Sequence, residues 1–267
     1  MVHGAGRAWN GVGEVATRSG RNIDAMTRNV TAEAATRTAY SQSEAAVYDE
    51  RRFTTEAGRR IHGCERDLLL RALRRLPKGG TVLEVGCGTG RLLCEVLNAG
   101  YKVDGVDASG AMLEQLKKKI GAGTDLRLIV SEAGSLPIPA EDYDFVYCIR
   151  LLNQTESPGY ALDVVSEMFR VTRPGGFVLV EFVNDFRPRW GAARKASTTR
   201  LRPAQVVDRA MRHGGRMVSC SGAFFFGMQA YQHSPKLLLP WVDRCDRALT
   251  RLMPRLTSRP YIEFAKR

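Results

Sequence analysis

The sequence predicts an α/β fold: a doubly wound, mostly parallel sheet with helices on both faces. Three observations carry this. Short apolar runs alternate with amphipathic helical stretches between residues 81 and 183. A glycine-rich turn, Gly86-Cys87-Gly88-Thr89-Gly90, stands directly behind the first of these runs. An acid, Asp107, closes the second. Sheets of this kind take their ligands beyond the carboxyl ends of the strands, where the strand order reverses.

The elements follow in chain order. Leu68, Leu69, Ala72, Leu73 and Leu76 recur at helical spacing, so a helix runs from Cys64 until Pro77 and Gly79-Gly80 stop it. Thr81–Val85 reads as a buried strand, and Arg91–Asn98 as a helix stopped by Gly100. Val103–Val106 is the second strand, and Ala111–Ile120 is a helix closed by Gly121. Leu126–Val130 and Phe145–Ile149 are further strands. Pro158 suits the first position of a helix that reaches Val171. Beyond Pro174-Gly175-Gly176, Phe177–Val183 is another buried strand.

The 267 residues are 44% hydrophobic and 25% charged, which excludes collagen-like, coiled-coil and wholly disordered chains. No run approaches the roughly 20 apolar residues of a spanning helix. The first residues lack a signal-peptide apolar core, so a soluble cytoplasmic protein is expected. The six cysteines form no C-x-x-C pair and the four histidines have no ligand spacing, so no metal is expected.

Charge divides the chain. Residues 1–80 hold 14 Lys and Arg against 9 Asp and Glu, a net of +5. Residues 81–186 hold 9 against 15, or −6, and residues 187–267 hold 17 against 4, or +13. With composition this gives four segments: a flexible tail over 1–45, a helical segment over 46–80, an acidic α/β core over 81–186 and a basic extension with the final strands over 187–267.

The glycine turn lets a ligand approach the main chain, and the helix behind it aims its first amides the same way. A dinucleotide fingerprint needs a third glycine at position 91, where Arg91 stands, and no G-K-[ST] follows for a Walker loop. Asp107 at a strand end can accept both hydrogen bonds of a ribose diol. Plainer readings stand beside these. Gly88 and Gly90 can serve a tight turn alone, and Asp107 can cap the next helix.

VLEVGCGTGRLL, VDGVDASGAML, SEAGSLPIPAEDYDFVYC and EMFRVTRPGGFVLVEF, in that order and spacing, resemble the class I S-adenosylmethionine-dependent methyltransferases, and most of all their type 11 branch. The resemblance implies a Rossmann-like methyltransferase fold of seven strands with the last antiparallel, Arg216–Ser219 being the sixth and Tyr261–Lys266 the seventh. It implies S-adenosylmethionine as cofactor, and that the four segments serve as tail, lid and helix, cofactor-binding core and substrate-side extension. Gly86, Gly88 and Gly90 would line its methionine part, Glu84 its amino group and Asp107 its ribose. Ala108 would lie under the adenine, Glu132 and Ala133 would meet the adenine edge, and Ile149 would flank the methyl group. Arg150 and Asn153 are the substrate candidates, although Glu132 can equally be a loop acid and Arg150 can be spent on an ion pair. Ala46–Phe53 resembles the family's lid, with Tyr48 either facing the cofactor carboxylate or packing against the lid's own helix.

No signature of base amino or cytosine C5 methylation is present, and His213 and His233 are the candidate bases. With the resemblance to a methyltransferase, this leaves as the first expectation a small-molecule or lipid-like acceptor, an anionic one included. The high basicity leaves a nucleic-acid or protein methyltransferase as the alternative, and a silent cofactor-binding protein as a third reading. Leu237, Leu238, Trp241, Val242, Cys245, Leu249 and Leu252 predict an amphipathic helix, kinked near Pro240. Arg244, Arg247, Arg251 and Arg255 form a stripe on it. With Arg187, Arg189, Arg194 and Lys195 that stripe either faces water or draws in an anionic substrate or membrane surface.

Overall fold

The computed structural model describes residues 40–77, 79–121, 124–185 and 198–267. Seven strands form one sheet: β1 (Thr81–Val85), β2 (Lys102–Asp107), β3 (Leu128–Val130), β4 (Tyr143–Cys148), β5 (Thr172–Glu181), β6 (Gly215–Ala223) and β7 (Arg259–Lys266). Their order across the sheet is β3-β2-β1-β4-β5-β7-β6. The first five strands pair in parallel. β7 inserts antiparallel between β5 and β6, with Leu179 opposite Glu263 and Cys220 opposite Ile262. The order reverses between β1 and β4, which places the switch point at their carboxyl ends.

Side-chain alternation splits the core into two layers. Leu83, Val85, Val146 and Val180 face α6 (Pro158–Val171) and α7 (Pro203–Arg212), meeting Val164, Val165, Met168 and Val206. Val82, Val103, Phe145 and Leu179 face the other layer. It is built from α3 (Glu56–Leu73), α4 (Leu93–Asn98) and α5 (Gly110–Ile120) through Leu69, Leu73, Leu93, Leu113 and Leu116. Burial on both faces explains why the central strands read as continuous apolar runs. The caps match the sequence: Ser157 accepts from the Tyr160 amide with Pro158 in the first turn of α6, and Gly121 ends α5 at φ 74°.

Several boundaries differ from expectation, each for a local reason. β3 starts at Leu128, not residue 126, because the Arg127 amide donates to Asp104 Oδ1 at 2.8 Å. β4 starts at Tyr143 by pairing with Thr172, and it ends at Cys148 because Arg150 turns to φ 65°. β5 accordingly begins at Thr172, ahead of the glycines. The tail expected over 1–45 overlaps α1 (Gln42–Ala46), where Ser41 and Glu44 form a capping box; residues 1–39 lie outside the described residues. α2 (Tyr48–Phe53) follows, within the segment expected to act as a lid. In the last third, α8 (Met228–His233) precedes α9 (Leu239–Leu252). Pro240 sits in the first turn of α9, where a missing amide costs nothing, so the expected kink is replaced by a helix start. No helix among the described residues is long and apolar enough to cross a membrane.

Candidate active site

A cavity opens beyond the carboxyl ends of β1, β2 and β4, and it collects most of the residues singled out from the sequence. Glu84, Gly86, Gly88, Asp107, Ala108, Ala133, Ile149 and Arg150 line it, together with Tyr40 and Tyr48. Gly86, Gly88 and Gly90 all adopt positive φ, at 77°, 54° and 75°. They serve different ends. A Cβ on Gly90 would lie 2.1 Å from Leu116 Cδ1, so this glycine admits α5 against the loop and does not face the cavity. A Cβ on Gly88 would meet nothing nearer than Asp107 Oδ2 at 4.0 Å, so it would stand in the space a ligand needs.

Asp107 accepts from the Gly88 amide at 2.7 Å and from the Ser109 amide at 2.9 Å, one oxygen each. These bonds join the glycine loop to the start of α5 and hold the carboxylate at the cavity wall. Burial raises the Asp107 pKa, against the pull of the two amides, and the Glu132 charge adds to the rise. Glu84 is buried and accepts from the Tyr147 hydroxyl at 2.9 Å. Burial pushes its carboxyl up to about 8, beyond what the Tyr147 bond and Arg91 offset. A buried carboxyl of that kind is ready for a cation that enters with its own charge.

Three expected residues stand elsewhere. Gly90 serves the packing just described. Glu132 turns to accept from the Tyr160 hydroxyl at 2.9 Å, leaving Ser131 and Ala133 as the cavity-lining pair on that loop. Asn153 faces away, its Oδ1 taking a bond from Arg259 Nη1 at 3.3 Å, and the neighbouring Gln154 lines the cavity in its place. Neither His213 nor His233 lines the cavity, and both are exposed.

The structure adds residues with no local sequence signal. Glu65, fully buried on α3, takes Arg91 Nη2 at 2.5 Å and Arg150 Nε at 2.6 Å. Burial alone would raise its pKa, yet Arg150 and Arg91 hold it below the usual value. The Phe53 ring lies 4.3 Å from the Arg91 guanidinium and 5.8 Å from that of Arg150. Glu181 holds the Arg150 amide at 2.6 Å and Arg259 Nη1 at 2.5 Å. Those bonds secure the left-handed turn that aims Arg150 at the cavity. The segment ahead of α3 is tied down as well. Thr89 Oγ1 donates to Asp49 Oδ1 at 2.7 Å, Lys119 also binds Asp49, and the Tyr40 hydroxyl donates to Gln154 Oε1 at 3.0 Å.

The arrangement fits a ligand with a cation at one end and a ribose diol at the other. Glu84 waits at the buried end, Asp107 keeps lone pairs beyond its two amide bonds, and Met112, Leu92 and Ile149 supply apolar wall.

Comparisons with known proteins agree. A family model described as "Methyltransferase domain" matches residues 82–176. The demethylmenaquinone methyltransferase of Bacillus licheniformis is 36% identical over 110 residues, which is 40% of this chain and 46% of that protein. Human methyltransferase-like protein 27 is 32% identical over 146 residues, 53% of this chain and 57% of that one. The chain spans about half the length of the curated relatives it matches. In fold, it resembles the magnesium protoporphyrin IX methyltransferase of Synechocystis solved with bound SAH. That comparison has a TM-score of 0.57 and 16% identity, and it covers 83% of this chain and 94% of that one. Glycine loop, strand-end acid, sheet order and these likenesses converge: residues 82–176 match a methyltransferase domain, and the chain is similar in sequence and in fold to S-adenosylmethionine-dependent methyltransferases.

Proposed function

We propose that this chain methylates a small-molecule or lipid-like acceptor, and that an anionic group on the acceptor suits its site best. The observation that carries the reading is the convergence of Glu84, Gly88, Asp107 and Ile149 with Arg150 around one cavity at the switch point. In this reading Asp107 holds the cofactor's ribose hydroxyls, Glu84 its amino group, and Ala108 and Ala133 its adenine. Ile149 and Arg150 flank the reacting end. When bound, the cofactor supplies a methyl group on a sulfonium, a carbon already activated for displacement.

What remains for the protein is alignment and exclusion of water. Tyr40, Tyr48 and Phe53 wall one side, and the Asp49–Thr89 bond pins them to the glycine loop. Arg91 and Arg150 place two cations at the wall. Glu65 leaves that pair with a net positive charge, which favours an acceptor carrying a carboxylate or phosphate. The relatives named above support a small acceptor by analogy. A second reading, a nucleic-acid substrate, is favoured by the +13 of residues 187–267.

The test is to incubate the protein with methyl-labelled S-adenosylmethionine and fractionated cell extract. Label in the organic-extractable or small acidic fraction, absent with Asp107→Ala, is the expected result. Label confined to RNA or protein would replace the small-acceptor reading. Binding without label in any fraction would favour a silent cofactor-binding protein.

A further inference from the structure

A helix lying on a protein surface ordinarily turns its apolar stripe inward. α9 does so only in part. Its inward face is held by acids: Asp246 is buried and accepts from the Phe226 amide at 2.9 Å, while Asp243 pairs with Arg60 at 3.5 Å and with Arg247. The Tyr231 hydroxyl on α8 also donates to Asp243, at 3.4 Å. Anchoring these acids rotates Trp241, Cys245, Ala248 and Leu252, spaced by four, three and four residues, to the outside. Trp241 is 67% exposed, Leu252 77%, and Leu237 just ahead of the helix 85%. The expected cover helix with its apolar side on the core is therefore met only in part: Leu239 is buried, Val242 packs against the core and Leu249 is half-buried, while the rest of the apolar set faces out.

Arg244 and Arg251 flank this outer stripe and Arg255 follows it; Arg251 also borders the cavity between α9 and α3, and Arg247 is held there by Asp243. Arg244, Arg251 and Arg255 have no carboxylate partner among the described residues. Arg187, Arg189, Arg194 and Lys195, grouped with them on sequence grounds, lie outside the described residues.

We propose that the outer face of α9 docks on an anionic lipid surface, Trp241 and Leu252 seated at the headgroup–acyl boundary and the arginines on the phosphates. A bilayer offers both complements at once, apolar depth and negative charge above it. A second copy of this chain does not, because the acids of α9 face inward and leave nothing for the opposing arginines to pair with. The docked helix is also coupled to the site. Tyr231 joins α9 to α8, and on α8 the Met228 sulfur accepts from Arg150 Nη2 at 3.1 Å. The inference stands apart from the acceptor's identity, and a cofactor-binding control keeps the two separable.

The experiment is flotation of the full chain with phosphatidylcholine vesicles containing phosphatidylglycerol, against phosphatidylcholine alone. The wild type is compared with Trp241→Glu/Leu252→Glu and with Arg244→Glu/Arg251→Glu, and S-adenosylmethionine affinity is measured on each to show an intact fold. The wild type floats with the anionic vesicles, and the apolar double variant stays in solution. The arginine reversal partitions at least about tenfold more weakly, since each basic residue near an anionic surface is worth about fivefold. With Trp9 and Trp190 replaced by Phe, Trp241 fluorescence shifts to the blue on vesicle addition. Wild-type protein left in solution, or an apolar variant that floats as well as wild type, overturns the proposal. So does a dimer lost in Trp241→Glu without vesicle binding, or salt-sensitive RNA binding in its place.

Discussion

The Glu65 carboxylate, fully buried in α3, meets Arg150 Nε at 2.6 Å across 85 residues of chain. Its second oxygen holds Arg91, so one acid neutralises part of two cations at the cavity wall. Burying three charges together is tolerable only while each keeps its partner. Glu65→Gln should cost about 3–5 kcal/mol of stability, because two guanidinium groups lose their counter-charge in a dry setting. Urea unfolding of the variant checks this, and a loss below about 1 kcal/mol would show that water compensates the arginines.

Two of the three loop glycines, Gly88 and Gly90, should separate fold from binding. Gly90→Ala places a methyl 2.1 Å from Leu116 Cδ1 at φ 75°, adding about 1–3 kcal/mol of overpacking to about 1–2 kcal/mol of left-handed strain. Gly88→Ala bears only the strain, at φ 54°, and its methyl enters the cavity. The first variant should lose mainly melting temperature and the second mainly cofactor affinity. Calorimetry and thermal unfolding of both would contradict the division if the effects were exchanged.

The contrast also marks what the chain discloses locally. β1 to β5 are legible because apolar runs alternate with helices, two of them stopped by Gly100 and Gly121, and the glycine loop and Asp107 sit in one continuous stretch. Glu65 is not, since an acid in a helix ordinarily reads as solvent-facing and its partners lie 26 and 85 residues away. The same holds for Asp49, which meets Thr89 40 residues on. The period of α9 is plain in the sequence. Which side faces inward is decided by Asp246 and the Phe226 amide, a contact that periodicity cannot express.

Glu84 gives the pH signature. Its folded pKa, about 8, lies above an unfolded value of about 4.3, so its contribution to stability is fully present below about pH 4.3. That contribution is lost as pH rises through about 8. Thermal stability of the ligand-free protein should therefore decline from pH 6 to 9, and Glu84→Gln should flatten the decline. A cation beside Glu84 favours its ionised form, so S-adenosylmethionine binding at pH 7 should release a proton, and affinity should rise with pH up to about 8. Titration calorimetry in buffers of different ionisation enthalpy reads that proton; none released in wild type, or the same release in Glu84→Gln, would remove Glu84 from the cofactor's amino end.

The most direct measurement is calorimetric titration of S-adenosylmethionine into the wild type and Asp107→Ala. Asp107 keeps acceptor capacity beyond the Gly88 and Ser109 amides, and two charge-assisted bonds of roughly 1.5–3 kcal/mol each are at stake. The account predicts saturable one-site binding to the wild type and at least about tenfold weaker binding to a folded Asp107→Ala. Unchanged affinity in the variant, or no binding to the wild type, would contradict it.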